Sequence, residues 1–192
     1  MIYLPTKILA NKAVHISEYY SDWNPIPRDR NLFIGKFKGQ GDIYRSLIKF
    51  DLTEVSRLVP RGSVIGKAYL ELMVSRNDLP SGTITASIWR CLKEWDLTTV
   101  SWSIQPATVD MPDITFTIPA IWTGIISLEV TSLVQDWLSG MYPNQGFMLR
   151  GDEVNKERVI GFSPDVFLVI IPSTEKPPVE EVIEVIASMD YP

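Results

Sequence analysis

Apolar and polar residues alternate in short runs along this chain, and the alternation predicts β-strands. The clearest runs are 46–52, 68–74 and 83–90, in which every second residue can face a core, as a half-buried antiparallel strand requires. The segments 146–150 and 166–171 are more uniformly apolar, and the second predicts a central strand buried on both faces. The pattern therefore favours an all-β sandwich.

Glycine and proline mark the turns between these runs. The segment 78–82, with sequence DLPSG, separates two predicted strands and indicates a hairpin. Gly35, Gly39 and Gly41 lie among basic residues after the short apolar segment 32–35. Their spacing is typical of a tight turn and does not match a phosphate-binding loop.

One segment follows the helical period instead. It starts at the hydroxyl residue Thr131 and ends at Gly140, which are start and stop signals of a helix. Its apolar residues fall on one helical face. These residues are Leu133, Val134, Trp137 and Leu138. We predict one short helix, at about 132–139, that plugs one end of the sandwich.

The chain divides into three parts on this pattern. Residues 1–21 predict an N-terminal arm or strand, 22–171 the sandwich, and 172–192 a proline-led linker with an amphipathic tail. Within the tail, apolar positions at 179–186 suit a helix, whereas their β-branched side chains suit a strand, and we favour the strand. The sequence contains no internal repeat.

The composition excludes several classes of function. With 192 residues, 45% of them apolar, the chain is long enough for one domain with its own core. A net charge of −5 leaves no basic patch for nucleic acid. Cys91 is the only cysteine, so neither an internal disulfide nor a thiolate metal cluster is expected. The sequence predicts no secretory signal and no membrane span.

Catalytic chemistry finds little support in the sequence. His15 is the only histidine, and since no motif surrounds it we interpret it as a packed or surface residue. Nothing in the sequence brings two loop carboxylates together as an acid/base pair. The candidates were Glu94, Asp96, Asp110 and Asp113. We therefore predict a protein that is not an enzyme and has no catalytic residue.

One loop has the oxygen-rich composition that calcium prefers. The sequence Asp152-Glu153-Val154-Asn155 offers carboxylate and amide oxygens, but it lacks the glycine and spacing of an EF-hand loop. We predict no cofactor. Calcium at 152–155 is the one metal ion that we keep as an alternative.

Four blocks of sequence together resemble a known family. They are 45–52 (RSLIKFDL), 65–72 (IGKAYLEL), 95–107 with VSWSIQPA at its end, and 128–147 with LEVTSLVQDW at its start. In this succession the chain is similar to the DNRLRE domain, the disaggregatase-related repeat, over roughly residues 22–171. The last block of the family pattern is only partly present in this chain, at 162–168.

The resemblance implies a jelly-roll-like antiparallel β-sandwich, a place on bacterial or archaeal surfaces and, in some members, carbohydrate binding. It also implies that Trp95, Trp102 and Trp137 belong to the core. Trp23 and Trp122 lie near loops instead, where an indole could stack on a sugar ring. These two residues are the candidate carbohydrate platform.

Two functions from different classes follow. The first is a structural subunit of an extracellular or particle-surface assembly, such as a filament, a spore or cell-surface layer, or a phage component. It would associate with copies of itself, because an apolar terminal strand can add to an exposed sheet edge. The residues proposed for this contact are Ile2, Leu4, Val179, Val182, Ile183, Val185 and Ile186. The second is a carbohydrate-binding module that recognises a polysaccharide, and a polysaccharide-degrading enzyme ranks below both.

Overall fold

The computed structural model describes residues 5–24, 31–58 and 64–173. In this part the chain forms eleven β-strands and two short helices. The strands are β1 (Thr6–Leu9), β2 (Lys12–Ser17), β3 (Leu32–Lys36), β4 (Ile43–Lys49), β5 (Ile65–Asn77), β6 (Thr83–Arg90), β7 (Ile114–Pro119), β8 (Gly124–Glu129), β9 (Phe147–Arg150), β10 (Arg158–Phe162) and β11 (Phe167–Pro172). The helices are α1 (Thr53–Leu58) and α2 (Thr131–Ser139).

All the strand pairs are antiparallel, and strands β3 and β4 connect the two layers of the sandwich. The hydrogen-bonded order is β1-β11-β5-β10-β3-β4-β9-β6-β7, with β2 added to β4 and β8 added to β5. Strand β4 pairs with β2 along its length, and with β3 and then β9. The β3–β4 hairpin thus joins the group around β5 to the group around β9 and β6.

The main core lies between these two groups of strands. In β5 every second residue from Ala68 to Val74 is buried, and these side chains share one apolar cluster with Ile84 and Ile88 of β6. Helix α2 covers one end, where the rings of Trp137 and Phe147 lie 4.7 Å apart. Burial of this continuous apolar surface is the dominant stabilising contribution.

A second apolar cluster forms on the other face of β2, β4 and β9. Val14, Leu47 and Met148 project from these strands, and the long connection between β6 and β7 covers them with Trp95, which is also buried. The Trp95 indole Nε1 donates a hydrogen bond to the Gln145 carbonyl at 2.9 Å. The β6–β7 connection is therefore a third layer on part of the sandwich.

Gly35 is required where β3 enters its hairpin. Its φ is +96°, and a Cβ at this position would collide with the carbonyl oxygen of Arg158 on the neighbouring strand. Only glycine combines this conformation with so close an approach of two backbones. The glycines around position 35 thus belong to a tight hairpin, as the sequence predicted.

The all-β sandwich is confirmed, and so is the helix expected at about 132–139, which runs from Thr131 to Ser139. The N-terminal segment forms two strands where one strand or arm was predicted. Strand β1 pairs with β11 and β2 with β4. The short helix α1 was not predicted, because its six residues are too few to display a helical period.

Candidate functional site

An aromatic pocket of about 280 Å³ opens beside the end of β2 and the β3–β4 hairpin. Its wall combines aromatic rings, two of them phenols, with one guanidinium and one serine hydroxyl. The lining residues are His15, Ser17, Tyr20, Trp23, Phe33, Phe37, Tyr44, Arg76 and Val159. Such a mixture of apolar surface and a few polar groups is typical of a small-molecule or sugar site.

The alternation of β2 supplies one side of the pocket. Val14 and Ile16 face the second apolar cluster, so His15 and Ser17 project from the opposite face of the strand and line the pocket. Both residues are buried. The hydroxyl oxygen of Ser17 lies beside Tyr44, with which it makes a side-chain contact, and it has no partner of good hydrogen-bond geometry within the described part of the chain. A buried hydroxyl that lacks a well-aligned partner is a group that a bound molecule can satisfy.

Three rings from neighbouring strands form the apolar wall. The centroid of Phe33 lies 5.3 Å from that of His15 and 5.9 Å from that of Tyr44, with the rings steeply inclined to each other. The Nδ1 atom of His15 lies 3.0 Å from the Asn31 carbonyl. Since a carbonyl only accepts, Nδ1 carries the proton and donates to it. This hydrogen bond fixes the orientation of the imidazole.

Tyr44 remains a protonated phenol well above neutral pH. Burial, together with a hydrogen bond to Asp42 and the negative charge of that carboxylate, raises the pKa of Tyr44 above its usual value. Asp42 is itself fixed in the hairpin, because it accepts a hydrogen bond from the Lys38 backbone N–H at 3.0 Å. The pocket therefore keeps a neutral ring at this position.

The loop after β2 supplies two more aromatic residues, which are open to solvent. Trp23 is 40% exposed and Tyr20 is 56% exposed, and their ring centroids are 6.0 Å apart. The loop is anchored to the β6–β7 connection: Ser103 N–H donates to the Ser21 carbonyl at 2.9 Å, and the Asn24 side chain donates to the Val100 carbonyl at 2.7 Å. The two rings are thus presented on a fixed loop.

Arg76, near the end of β5, completes the wall. Its Nε donates to Asp78 at 3.0 Å, and its Cζ lies 5.6 Å from the ring centroid of Phe33 and 5.9 Å from that of Phe37. This hydrogen bond to Asp78 raises the pKa of Arg76. A guanidinium has more N–H donors than one carboxylate accepts, so Arg76 can also donate to a bound molecule.

The two predicted platform residues lie in different places. Trp23 lines the pocket, whereas Trp122 lies in the turn between β7 and β8 and is not part of the pocket lining. Trp95 and Trp137 are buried and Trp102 is partly buried against the second apolar cluster. The residues proposed for self-association, at positions 2, 4 and 179–186, lie outside the described residues.

The two carboxylates of the oxygen-rich loop 152–155 are bonded to other groups of the protein. Although burial raises the pKa of Asp152, hydrogen bonds from Asn155 and Val154 outweigh it, and the net pKa is lowered. Asp152 also lies 3.5 Å from Arg158, and Glu153 is bonded to Arg45. Among the described residues there is no group of three or more histidine, cysteine or acidic residues placed to hold a metal ion.

The other predicted loop carboxylates are dispersed. Asp96 accepts hydrogen bonds from Thr98, which lower its pKa, and Asp113 accepts one from the Arg90 backbone N–H at 2.8 Å. Glu94 lies 3.7 Å from Lys49. Each of these three carboxylates thus has a partner within the protein.

Among the pocket-lining residues, only Trp23 was proposed for a site from the sequence. The others, which include Ser17, Tyr20, Phe33 and Arg76, were not proposed for any site, although one signal was present. Phe33 alternates with the core residues Leu32 and Ile34, so it projects away from the core. This signal is weak by itself, because single outward-facing apolar residues are common and only a contiguous patch marks a binding surface.

These features describe an all-β sandwich with an aromatic pocket at one corner. The model of carbohydrate-binding module family 96 matches residues 28–165. Since this covers well over half of the chain, the chain belongs to that family. Comparison with the curated proteins finds no match.

The family supports the carbohydrate-binding interpretation of the sequence. The name disaggregatase-related repeat stays a prediction. Strands β3 to β10 lie inside the matched segment, whereas His15, Ser17, Tyr20 and Trp23 precede it. In the described part of the chain, no helix has the length and apolar character needed to cross a membrane.

Proposed function

We propose that this protein binds a polysaccharide in the aromatic pocket and has no catalytic activity of its own. One observation carries the proposal: a chain of carbohydrate-binding module family 96 has a pocket in which exposed aromatic rings surround a buried hydroxyl and a guanidinium. We further propose that it works outside the cell or at a surface, where polysaccharides are accessible.

The chemistry of the lining suits a sugar ring. The C–H face of a pyranose is apolar and packs against an aromatic face, which Trp23 and Tyr20 supply. The hydroxyl groups of a sugar need donors and acceptors that are already in place. Ser17 Oγ can both donate and accept, and Arg76 donates. Because Asp78 and two rings hold Arg76, little side-chain entropy is lost when it binds.

The test measures binding to soluble uronate polymers, glucans and chitin-like polymers by isothermal titration calorimetry and affinity electrophoresis. Wild-type protein is expected to bind at least one class saturably. Trp23→Ala and Tyr20→Ala are each expected to weaken that binding by about tenfold or more, since a stacked ring at the centre of a site is a principal source of affinity.

Tyr142→Ala is the matched control, because Tyr142 is an aromatic residue that is 45% exposed but does not line the pocket. It is expected to bind as wild type does. Unchanged melting temperatures would assign the losses to the site. Absence of binding across all three polymer classes, or full binding by both pocket variants, would contradict the proposal.

A further inference from the structure

The turn between β7 and β8 holds an apolar tip in an unfavourable backbone conformation. Ile121 has φ +53° and is 80% exposed, and the next residue, Trp122, is 38% exposed. A β-branched residue in the left-handed region is an outlier, and such residues persist only where their surroundings hold them. Two adjacent apolar side chains are thus kept at the surface at a cost in stability.

Asn77 and Gly124 hold the β7–β8 turn in this conformation. The side-chain nitrogen of Asn77 donates to the carbonyl oxygens of Pro119 and Trp122, both at 2.8 Å. A Cβ added to Gly124 would lie 2.9 Å from the indole of Trp122, so the ring rests directly on the glycine backbone. The indole is therefore fixed before any molecule binds to it.

The tip is close to the pocket along the chain of β5. Arg76 lines the pocket, and the next residue, Asn77, bonds to the Trp122 carbonyl. Consecutive Cα atoms are about 3.8 Å apart, and adjacent side chains project to opposite faces of a strand, so the pocket and the tip lie at the same end of β5. A polymer that reaches both would follow this end of the strand from one face to the other.

The exposed apolar surface here is too small for a stable protein partner. Beside Ile121 and Trp122 it includes Met73 and Ile125, which are paired across β5 and β8. A standard protein interface uses about 20–30 residues on each side. A single fixed indole, by contrast, is enough to stack on one sugar ring.

We propose that Trp122 is a second contact for the same polysaccharide, outside the pocket and used only by chains long enough to reach both places. This inference rests on the proposed function. Two linked contacts increase the apparent affinity for a polymer, because the second contact forms at the high effective concentration that the first creates. A short fragment that fills the pocket alone gains nothing from Trp122.

The experiment compares Trp122→Phe with Trp122→Leu, a pair that separates stacking from packing because both side chains are apolar but only phenylalanine is aromatic. The probes are the polymer that binds wild-type protein best in the panel above and the disaccharide prepared from it. Trp122→Leu is expected to weaken polymer binding about five- to tenfold, while Trp122→Phe stays within about threefold of wild type. Disaccharide binding is expected to be unchanged in both.

Two results would overturn the second contact while leaving the proposed function intact. One is polymer binding by Trp122→Leu equal to that of wild type, with Trp23→Ala defective. The other is an equal loss for disaccharide and polymer, which would place the effect in the pocket. A wild-type protein that binds no polymer would overturn both proposals. Trp122→Ala, with its melting temperature recorded, serves as a second variant if Trp122→Leu does not fold.

Discussion

Both oxygens of the Glu153 carboxylate accept hydrogen bonds from Arg45, from Nε at 2.7 Å and from Nη2 at 2.8 Å. The same guanidinium donates to Gln105 at 2.8 Å, and its Cζ lies 4.5 Å from the ring centroid of Trp102. Arg45 therefore joins strand β4 to the β9–β10 loop and to the long β6–β7 connection.

Removal of the carboxylate is expected to destabilise the fold. In Glu153→Ala the guanidinium of Arg45 loses two charge-assisted hydrogen bonds in a half-buried place, and we expect the free energy of unfolding to fall by about 1.5–3 kcal/mol. Urea unfolding measures the change. A double-mutant cycle with Arg45→Met isolates the pair, and a coupling energy near zero would contradict a direct interaction.

Calcium is expected to leave this protein unaffected, because Asp152 is occupied by Val154, Asn155 and Arg158 and Glu153 by Arg45. A ligand that binds only the folded state raises the melting temperature. Addition of calcium, or of a chelator, should shift it by less than about 1 °C. A larger, saturable shift would show that these carboxylates leave their partners for the ion.

Truncation of Trp95 is expected to cost much more stability than truncation of Trp122. Trp95→Ala removes a buried ring and its hydrogen bond to Gln145, so the free energy of unfolding should fall by about 3–5 kcal/mol. Trp122→Ala, at an exposed turn, should cost about 1 kcal/mol. Denaturant unfolding compares the two, and equal losses would contradict the assignment of Trp95 to the core.

The thiol of Cys91 is expected to be unreactive in the folded protein. Burial raises the pKa of Cys91 to about 12, so the reactive thiolate is scarce at pH 8. Iodoacetamide should label native protein far more slowly than protein in urea, as mass spectrometry can follow. Equal labelling rates would contradict a buried thiol.

The same pKa shift gives a pH dependence. The unfolded thiol ionises near pH 8.5, while the folded thiol keeps its proton to about pH 12. Because the folded state then binds more protons, stability should decrease as pH rises between these two values. Cys91→Ala should remove this contribution, and an identical alkaline decrease in the variant would assign it to other groups.

Local patterns accounted for much of the fold. The run 83–90 became β6 because its alternation matches a strand with one buried face, and the segment from Thr131 became α2 because its apolar residues share one helical face. Strand β7 (Ile114–Pro119) was missed although Ile114, Phe116 and Ile118 alternate with threonines and pack against the main core. It lies at the end of the strand order, where it pairs with β6.

The aromatic pocket was predicted only in part, since its residues come from distant segments. Trp23 was a candidate from its loop position, and it does line the pocket. Arg76 gave no signal, because its place beside Phe33 depends on the pairing of β5 and β3 with β10. No pattern within a window of sequence contains that information.

The sequence by itself determined the all-β class, the helix α2 and the absence of a recognisable catalytic motif, because periodicity and residue type act over a few neighbouring residues. Only the tertiary structure decided which aromatic residues are buried and which form a site. Trp95 and Trp23 are alike as side chains and both lie outside regular strands. The fold buries the first beneath a long connection and leaves the second open beside a buried hydroxyl, because burial is a property of what packs against a residue.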